Sequence, residues 1–227
     1  MAPFKKSPPA IIYLHGLASS PRSLKAVFFA NRLRAFGLDF SVPDLNLPTF
    51  KTLTLSRAIE ATNNEIRNFG NKRNIVLIGS SFGALTALHT YSRSPLRSQI
   101  RGLILLAPAF DFLANKEMGP GDVEKWRAAQ SVVICHNNQP LNFSFVEDLS
   151  NYDSYSVQVE VPCLVVHGRN DQTIGYEQSE RFKSLNPQSS LLLLEDVHDL
   201  ALSLDFLWGS NNAGAIPDLL RDVTELP

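Results

Sequence analysis

The chain has little cysteine, almost no excess of charge of either sign and no long hydrophobic run. Its two cysteines, Cys135 and Cys163, show neither C-x-x-C spacing nor a Cys/His cluster, so we expect no metal site. A net charge of −1 argues against the basic surface that binds nucleic acid. No apolar stretch approaches the roughly 20 residues of a membrane-spanning helix, and no signal-peptide core follows the N-terminus. These absences predict a cytoplasmic protein without a membrane span, whose oligomeric state the sequence leaves open.

The composition is that of a globular protein. Apolar residues make up 44% of the 227 residues and charged residues 19%, which is far from the composition of a disordered chain. The sequence contains no internal repeat, low-complexity segment or linker that would divide it. We therefore expect a single domain over residues 1–227.

Short apolar runs alternate with segments of helical periodicity. Their near-continuous apolar character is typical of strands buried on both faces of a parallel sheet. The predicted strands are 10–16, 38–45, 74–80, 102–108, 162–168 and 190–196. The predicted helices are 20–36, 54–69, 82–93 and 176–186, with a short helix in the C-terminal tail. This order predicts an α/β fold with a doubly wound, mostly parallel sheet and helices on both faces.

One segment interrupts this alternation. About fifty residues separate Pro108 from Val161, which is too long for a simple crossover, so we expect a small lid around 110–160. Aromatic side chains in and before this segment are candidates for an apolar substrate pocket, with burial in the core as the alternative. These candidates are Phe110, Trp126, Phe143 and Phe145.

The stretch Gly-Ser-Ser-Phe-Gly at 79–83 lies between a predicted strand and a predicted helix. A G-x-S-x-G motif in that setting is typical of a nucleophile elbow, in which the middle serine is exposed on a sharp turn. The middle serine here is Ser81, so we predict that Ser81 is a nucleophile and that Ser80 supports the turn. A strand-to-helix turn with an ordinary serine is the alternative.

A serine nucleophile needs a base and an acid that orients the base. In proteins with a nucleophile elbow, the acid and then the base follow the serine along the chain. This chain has Asp171 in HGRNDQTI and His198 in EDVHDLA, each after a predicted strand. Both would lie at the same edge of the sheet as Ser81. Asn170 or Asp153 could replace Asp171 if the loop is shifted.

The stretch YLHGLASSP at 13–21 ends a predicted strand and begins a loop. The backbone N–H groups of Leu17 and Phe82 are the predicted oxyanion hole. His15 and His167 each precede a glycine at the end of a predicted strand, and we expect structural roles for both.

These motifs give the chain a resemblance to the α/β-hydrolase superfamily over nearly its full length. Within it, YLHGLASSPRSLKA and GSSFGA resemble the YqiA/YcfP-like esterases, in which a second glycine often stands at the position of Ala84. The resemblance implies hydrolysis of carboxylic esters or acyl-CoA thioesters, with Ser81 as nucleophile, Asp171 as acid and His198 as base.

We therefore predict a serine hydrolase that acts on a small-molecule ester or thioester with short to medium acyl chains. The reaction needs no metal or organic cofactor. Two alternatives stay open: a lyase or C–C hydrolase of the same fold, and a non-catalytic member that binds a ligand or partner.

Overall fold

A computed structural model describes residues 8–70, 73–114, 120–134 and 139–224. Its main sheet has six parallel strands, which are β1 (Ala10–Leu14), β2 (Asp39–Ser41), β3 (Ile75–Ser80), β4 (Ile100–Leu106), β7 (Cys163–Gly168) and β8 (Ser190–Leu194). They lie in the order β2-β1-β3-β4-β7-β8. The predicted parallel α/β sheet is confirmed.

Helices cover both faces of the sheet. They are α1 (Leu24–Ala35), α2 (Leu55–Asn68), α3 (Phe82–Arg93), α4 (Pro120–Ala129), α5 (Ser144–Leu149), α6 (Glu177–Leu185), α7 (Leu204–Trp208) and α8 (Ala215–Thr224). Apolar side chains of α2, α3, α5 and α6 form one core cluster with one face of the strands. Side chains of α1, α7 and α8 form a second cluster on the opposite face. Alternate residues of β1 enter the two clusters, as the two-residue period of a strand requires.

Two predicted elements depart most from their predicted lengths, and both are shorter. The strand predicted over 38–45 is limited to β2, because Pro43 has no N–H with which to continue the ladder. The helix predicted from residue 20 begins at Leu24, where the Ser23 hydroxyl accepts a hydrogen bond from Ala26 N–H at 3.3 Å. That contact makes Ser23 the N-cap of α1.

The long segment between β4 and β7 forms several short elements in its described parts. Besides α4 and α5, it contains two antiparallel paired strands, β5 (Ser131–Ile134) and β6 (Gln139–Asn142). Trp126 Nε1–H of α4 donates to the Leu141 carbonyl of β6 at 3.0 Å. Ser56 Oγ donates to the carboxylate of Asp148 at 2.5 Å, which joins α2 to α5. The described parts of the segment therefore pack on the core cluster that α2 and α3 share.

The described part of the chain has no helix with the length and apolar character needed to cross a membrane. Within the same residues, no group of three His, Cys, Asp or Glu side chains lies close enough to hold a metal ion.

Candidate active site

Ser81 occupies the sharp turn between β3 and α3. Its backbone has φ 55° and ψ −115°, a conformation that L-residues rarely adopt. Its N–H donates to the Leu106 carbonyl at 2.8 Å, which fixes the turn against the neighbouring strand β4. The two flanking glycines allow this close packing: a Cβ on Gly79 would lie 2.3 Å from the Gly83 carbonyl oxygen. The sequence motif thus forms a strand–turn–helix elbow with Ser81 at its apex.

We predict that Gly83→Ala, in the first turn of α3, will destabilise the fold strongly. A Cβ at Gly83 would lie 2.0 Å from the Leu14 carbonyl oxygen, a backbone atom that cannot move aside. We expect a loss of about 3 kcal/mol in the free energy of unfolding, measured by urea denaturation. Gly102→Ala is the matched control, because its Cβ would meet only side-chain ends at 3.1 Å or more. Equal stabilities of the two variants would contradict this account of the elbow.

The structure brings Ser81, His198 and Asp171 together. His198 Nε2 lies 3.0 Å from Ser81 Oγ, and His198 Nδ1 lies 2.6 Å from Asp171 Oδ2. Asp171 follows β7 and His198 follows β8, so both side chains come from loops at the carboxyl edge of the sheet. The Asp171 side chain is fully buried, whereas that of His198 is 28% exposed. This arrangement is a continuous hydrogen-bonded path from a buried carboxylate to an accessible hydroxyl.

The Asp171 carboxylate is held in its ionised form. Burial alone would raise its pKa, but hydrogen bonds from His167 and His198 and from the Ile174 N–H lower the pKa well below its usual range. Oδ1 accepts from the backbone N–H groups of Thr173 at 2.9 Å and Ile174 at 2.8 Å. Oδ2 lies 3.1 Å from His167 Nε2 in addition to its contact with His198. Four donors therefore stabilise one buried negative charge.

The two alternative partners for the base, Asn170 and Asp153, lie elsewhere. The Asn170 side chain is exposed and contacts Glu195 Oε2 at 3.5 Å. The Asp153 carboxylate accepts from the Tyr155 N–H at 2.9 Å, as the cap of a short helical turn. Neither makes a hydrogen bond to His198 within the described residues, so the geometry favours Asp171 as the partner of His198.

A second buried carboxylate, Asp196, shapes the loop that carries His198. Its Oδ1 accepts from the Val197 N–H at 2.7 Å and its Oδ2 from the Ser203 N–H at 2.9 Å. Lys25 of α1 donates to the Asp199 carbonyl at 2.5 Å. The sequence motifs did not point to Asp196, although an acid two residues before the candidate base is present in EDVHDLA.

The predicted oxyanion donors face no competing acceptor. Within the residues that the structure describes, the N–H groups of Leu17 and Phe82 make no hydrogen bond. The loop after β1 passes close to the elbow, because a Cβ on Gly16 would lie 3.6 Å from Ser81 Cβ. His15 Nδ1–H donates to the Gly16 carbonyl at 2.9 Å, which fixes the peptide that carries the Leu17 N–H. His15 Nε2 accepts a hydrogen bond from the Leu45 N–H at 3.1 Å, as a neutral imidazole does, and burial lowers the pKa of this histidine.

Four aromatic side chains were candidates for a substrate pocket, and their burial favours the alternative interpretation for three of them. Trp126, Phe143 and Phe145 are at most 5% exposed and pack on one another with ring centroids about 6 Å apart. These contacts place them in the core cluster that joins the long segment between β4 and β7 to α3. Phe110 also stacks on Phe182 in that cluster, but it lines a cavity as well.

Two cavities are lined in part by segments that adjoin the elbow, α3 in one case and the loop after β1 in the other. The first, of about 160 Å³, is lined mainly by apolar side chains of α3, α5 and the segment after β4. Its lining residues are Leu85, Phe110, Asp111, Phe112, Leu113, Leu149, Ser150 and Tyr152. The second, of about 310 Å³, lies in the loop that follows Leu17. It is lined by Ala18, Ser19, Ser20, Asn46, Phe50 and Gln139.

The sheet order, the elbow and the loops at the carboxyl ends of β7 and β8 define the α/β-hydrolase fold. The sequence profile of the uncharacterised protein family UPF0227 matches residues 10–207, and the chain belongs to that family. This match confirms the relationship that the sequence motifs indicated. No curated protein sequence matches the chain.

Solved structures with the same fold are distant in sequence. Est1E from Butyrivibrio proteoclasticus is 18% identical with a TM-score of 0.71, over 96% of this chain and 87% of that one. The monoacylglycerol lipase of Paleococcus ferrophilus is 16% identical with a TM-score of 0.73, over 96% and 97% of the two chains. Mouse alpha/beta hydrolase domain-containing protein 10 is 18% identical with a TM-score of 0.73, over 88% and 86%. At these identities the similarity establishes the fold.

Proposed function

We propose that the protein is a serine hydrolase that cleaves carboxylic esters through an acyl-enzyme intermediate. The observation that carries this proposal is the path from Ser81 Oγ through His198 to Asp171, with contacts of 3.0 Å and 2.6 Å. A serine hydroxyl is a weak nucleophile, and this geometry provides the base and the orienting acid that activate it. The two-cysteine composition fits a reducing compartment, and we place the reaction in the cytoplasm.

In the proposed acylation step, Ser81 Oγ attacks the ester carbonyl carbon while its proton passes to His198 Nε2. The carbonyl oxygen becomes an oxyanion that accepts hydrogen bonds from the N–H groups of Leu17 and Phe82. When the intermediate collapses, the bond to the alcohol oxygen breaks and His198 returns the proton to that oxygen. Asp171 stays ionised and holds the proton on His198 Nδ1 throughout.

In the proposed deacylation step, a water molecule takes the place of the alcohol. His198 Nε2 accepts a proton from this water as its oxygen attacks the acyl carbon. The second intermediate then breaks the bond to Ser81 Oγ, and the proton on His198 returns to the serine. The products are the carboxylic acid and the alcohol, and the enzyme is regenerated without any cofactor.

The 160 Å³ cavity is our candidate for the acyl pocket. Its wall begins at Leu85, whose N–H donates to the Ser81 carbonyl at 3.1 Å. On the β4 side, the N–H of Ala109 reaches the same carbonyl at 3.5 Å, and Phe110 follows it in the wall. A cavity of this size and apolar character favours short to medium acyl chains.

We expect hydrolysis of p-nitrophenyl esters to be fastest with acyl chains of about four to eight carbons. Leu113→Trp adds volume to the cavity wall and should shift the optimum to shorter chains, with at least a roughly tenfold loss for the octanoyl ester. Leu185→Trp changes an exposed leucine outside this cavity and is the matched control. An optimum at acetyl or palmitoyl, or an unchanged profile in Leu113→Trp, would contradict this acyl pocket.

The 310 Å³ cavity is our candidate for the alcohol side of the substrate. Apart from Ala18 and Phe50, its lining side chains are neutral and polar, and none of the lining residues is charged. A neutral hydroxylated alcohol fits this lining better than the phosphates of coenzyme A, which need cationic partners. Comparison of a butyryl ester with butyryl-CoA tests this preference, and faster cleavage of the thioester would contradict it.

Two other functions use the same fold. A lyase or C–C hydrolase would keep the triad but act on a specific metabolite, and a binding protein would turn over nothing. If the wild-type protein hydrolyses esters, that result would favour the esterase. Reaction of Ser81 with a fluorophosphonate without ester turnover would favour the lyase or C–C hydrolase, and neither reaction would favour the binding protein.

A further inference from the structure

We propose that His167 is a positioning residue that orients the Asp171 carboxylate and weakens its hold on the proton of His198. The inference rests on the proposed function, in which His198 must be neutral to accept the proton of Ser81. The sequence predicts only a structural role for His167, as a histidine before a glycine at the end of β7. In the structure its imidazole is fully buried and shares Asp171 with His198.

The proton on His167 Nε2 is fixed by its neighbours. Nε2 lies 3.1 Å from Asp171 Oδ2 and 3.2 Å from the Ile174 carbonyl oxygen. A carbonyl oxygen has no hydrogen to donate, and neither has an ionised carboxylate, so both atoms act as acceptors. Nε2 therefore carries a proton and donates it to both acceptors.

The other nitrogen of His167 accepts a hydrogen bond. Nδ1 lies 2.7 Å from Ser179 Oγ, which is fully buried on α6. Within the described part of the chain, this hydroxyl has no other hydrogen-bond partner. If Nδ1 were protonated, the hydroxyl hydrogen of Ser179 would have no acceptor, and an unpaired buried O–H costs about 1–3 kcal/mol. The serine therefore donates to Nδ1, and His167 is neutral. Ser179, His167, Asp171, His198 and Ser81 then form one chain of hydrogen bonds across the site.

The consequence lies in the competition at Asp171 Oδ2. This oxygen accepts from His198 Nδ1 at 2.6 Å and from His167 Nε2 at 3.1 Å. Each donor draws charge from the carboxylate, so removal of His167 would leave it a stronger partner for protonated His198. His198 would then stay protonated to a higher pH, and a protonated His198 cannot act as the base.

Besides their contact with each other, Asp171 and His198 make a hydrogen bond to one ionisable side chain of the described residues, that of His167. The elbow contributes the neutral Ser81, and α6 contributes the neutral Ser179. In the loop after β8, the Asp196 carboxylate is engaged by the backbone N–H groups of Val197 and Ser203. Lys25 of α1 donates to the carbonyl of Asp199, beside His198. Besides His198, His167 is therefore the ionisable side chain of the described residues that donates to Asp171, and its loss removes that donor.

Two variants of similar polarity separate this role from simple packing. In His167→Gln, the side-chain amide can reach the position of Nε2 and donate to Asp171. In His167→Asn, the shorter amide reaches only the position of Nδ1 beside Ser179. His167→Leu removes both contacts at similar volume, so a folding defect in the Asn variant leaves a second variant without the donor.

We would measure kcat/KM against pH with p-nitrophenyl butyrate for wild type and each folded variant. We expect the acid limb of His167→Asn and His167→Leu to move to higher pH by about half a unit or more, with at least a roughly fivefold loss of kcat. His167→Gln should keep the acid limb of the wild type. An unmoved limb in the variants without the donor, or the same shift in His167→Gln, would overturn the proposal.

The titration of the His198 ring, followed by NMR of ¹⁵N-labelled histidine, needs no substrate. Its midpoint should rise in His167→Asn and His167→Leu and stay in place in His167→Gln. An unchanged midpoint in the variants without the donor would overturn the positioning role. Because this readout is independent of turnover, a wild-type protein that fails to cleave esters would contradict the proposed function and leave the titration to decide on His167.

Discussion

Ser81→Ala should lower kcat for p-nitrophenyl butyrate by about 10⁶, because loss of a triad serine removes the acyl-enzyme route altogether. The hydroxyl lies 3.0 Å from His198 Nε2, and the described residues offer no second hydroxyl in hydrogen-bond contact with this nitrogen. The folded state should be little changed, since the backbone contact of the elbow comes from the Ser81 N–H to Leu106. Single-turnover and steady-state assays on the purified variant measure the loss.

Ser80→Ala is the matched control for this prediction. Ser80 is buried at the end of β3, next to the nucleophile position in the chain. The substitution should leave activity within about tenfold of wild type and lower the melting temperature by a few degrees at most. Loss of activity in Ser80→Ala, with turnover retained in Ser81→Ala, would contradict the assignment of the nucleophile.

Asp171→Asn should lower kcat by about 10⁴, as the loss of the orienting acid does in other serine triads. Four donors face the carboxylate, so the NH₂ of an asparagine must point at a donor. If the NH₂ faces His198, Nδ1 must become the acceptor, and the proton moves to Nε2. A protonated Nε2 cannot take the proton of Ser81, so the base is lost while the side-chain volume is preserved.

Asp153→Asn is the control for Asp171→Asn. Asp153 is the alternative acid in the sequence, and its carboxylate caps the backbone at Tyr155. Asparagine is also a good cap, so this variant should keep the activity of wild type within about twofold. A larger loss in Asp153→Asn than in Asp171→Asn would show that the orienting acid was assigned to the wrong loop.

Much of the fold and the candidate triad follows from local patterns in the sequence. Buried parallel strands have distinctive apolar runs, and their carboxyl ends meet at one edge of the sheet, so Ser81, Asp171 and His198 could be placed together. The predicted ends of elements were less accurate where a single residue determines where the element starts or stops. Pro43 shortened β2, and the Ser23 cap delayed the start of α1.

The roles of several side chains depend on tertiary contacts that no local pattern contains. Aromatic content could not distinguish a substrate pocket from a core, and the mutual packing of Trp126, Phe143 and Phe145 is visible only in the structure. The same holds for His167, because its contact with Ser179 joins β7 to a helix twelve residues later in the chain.

The most direct test of the account is to react the protein with a fluorophosphonate and locate the label by mass spectrometry. We expect one phosphonylated residue, Ser81, with no label in Ser81→Ala and strongly slowed labelling in Asp171→Asn. A folded wild-type protein that is not labelled, or is labelled at Ser80 or at another residue, would contradict the claim that Ser81, His198 and Asp171 form a working triad.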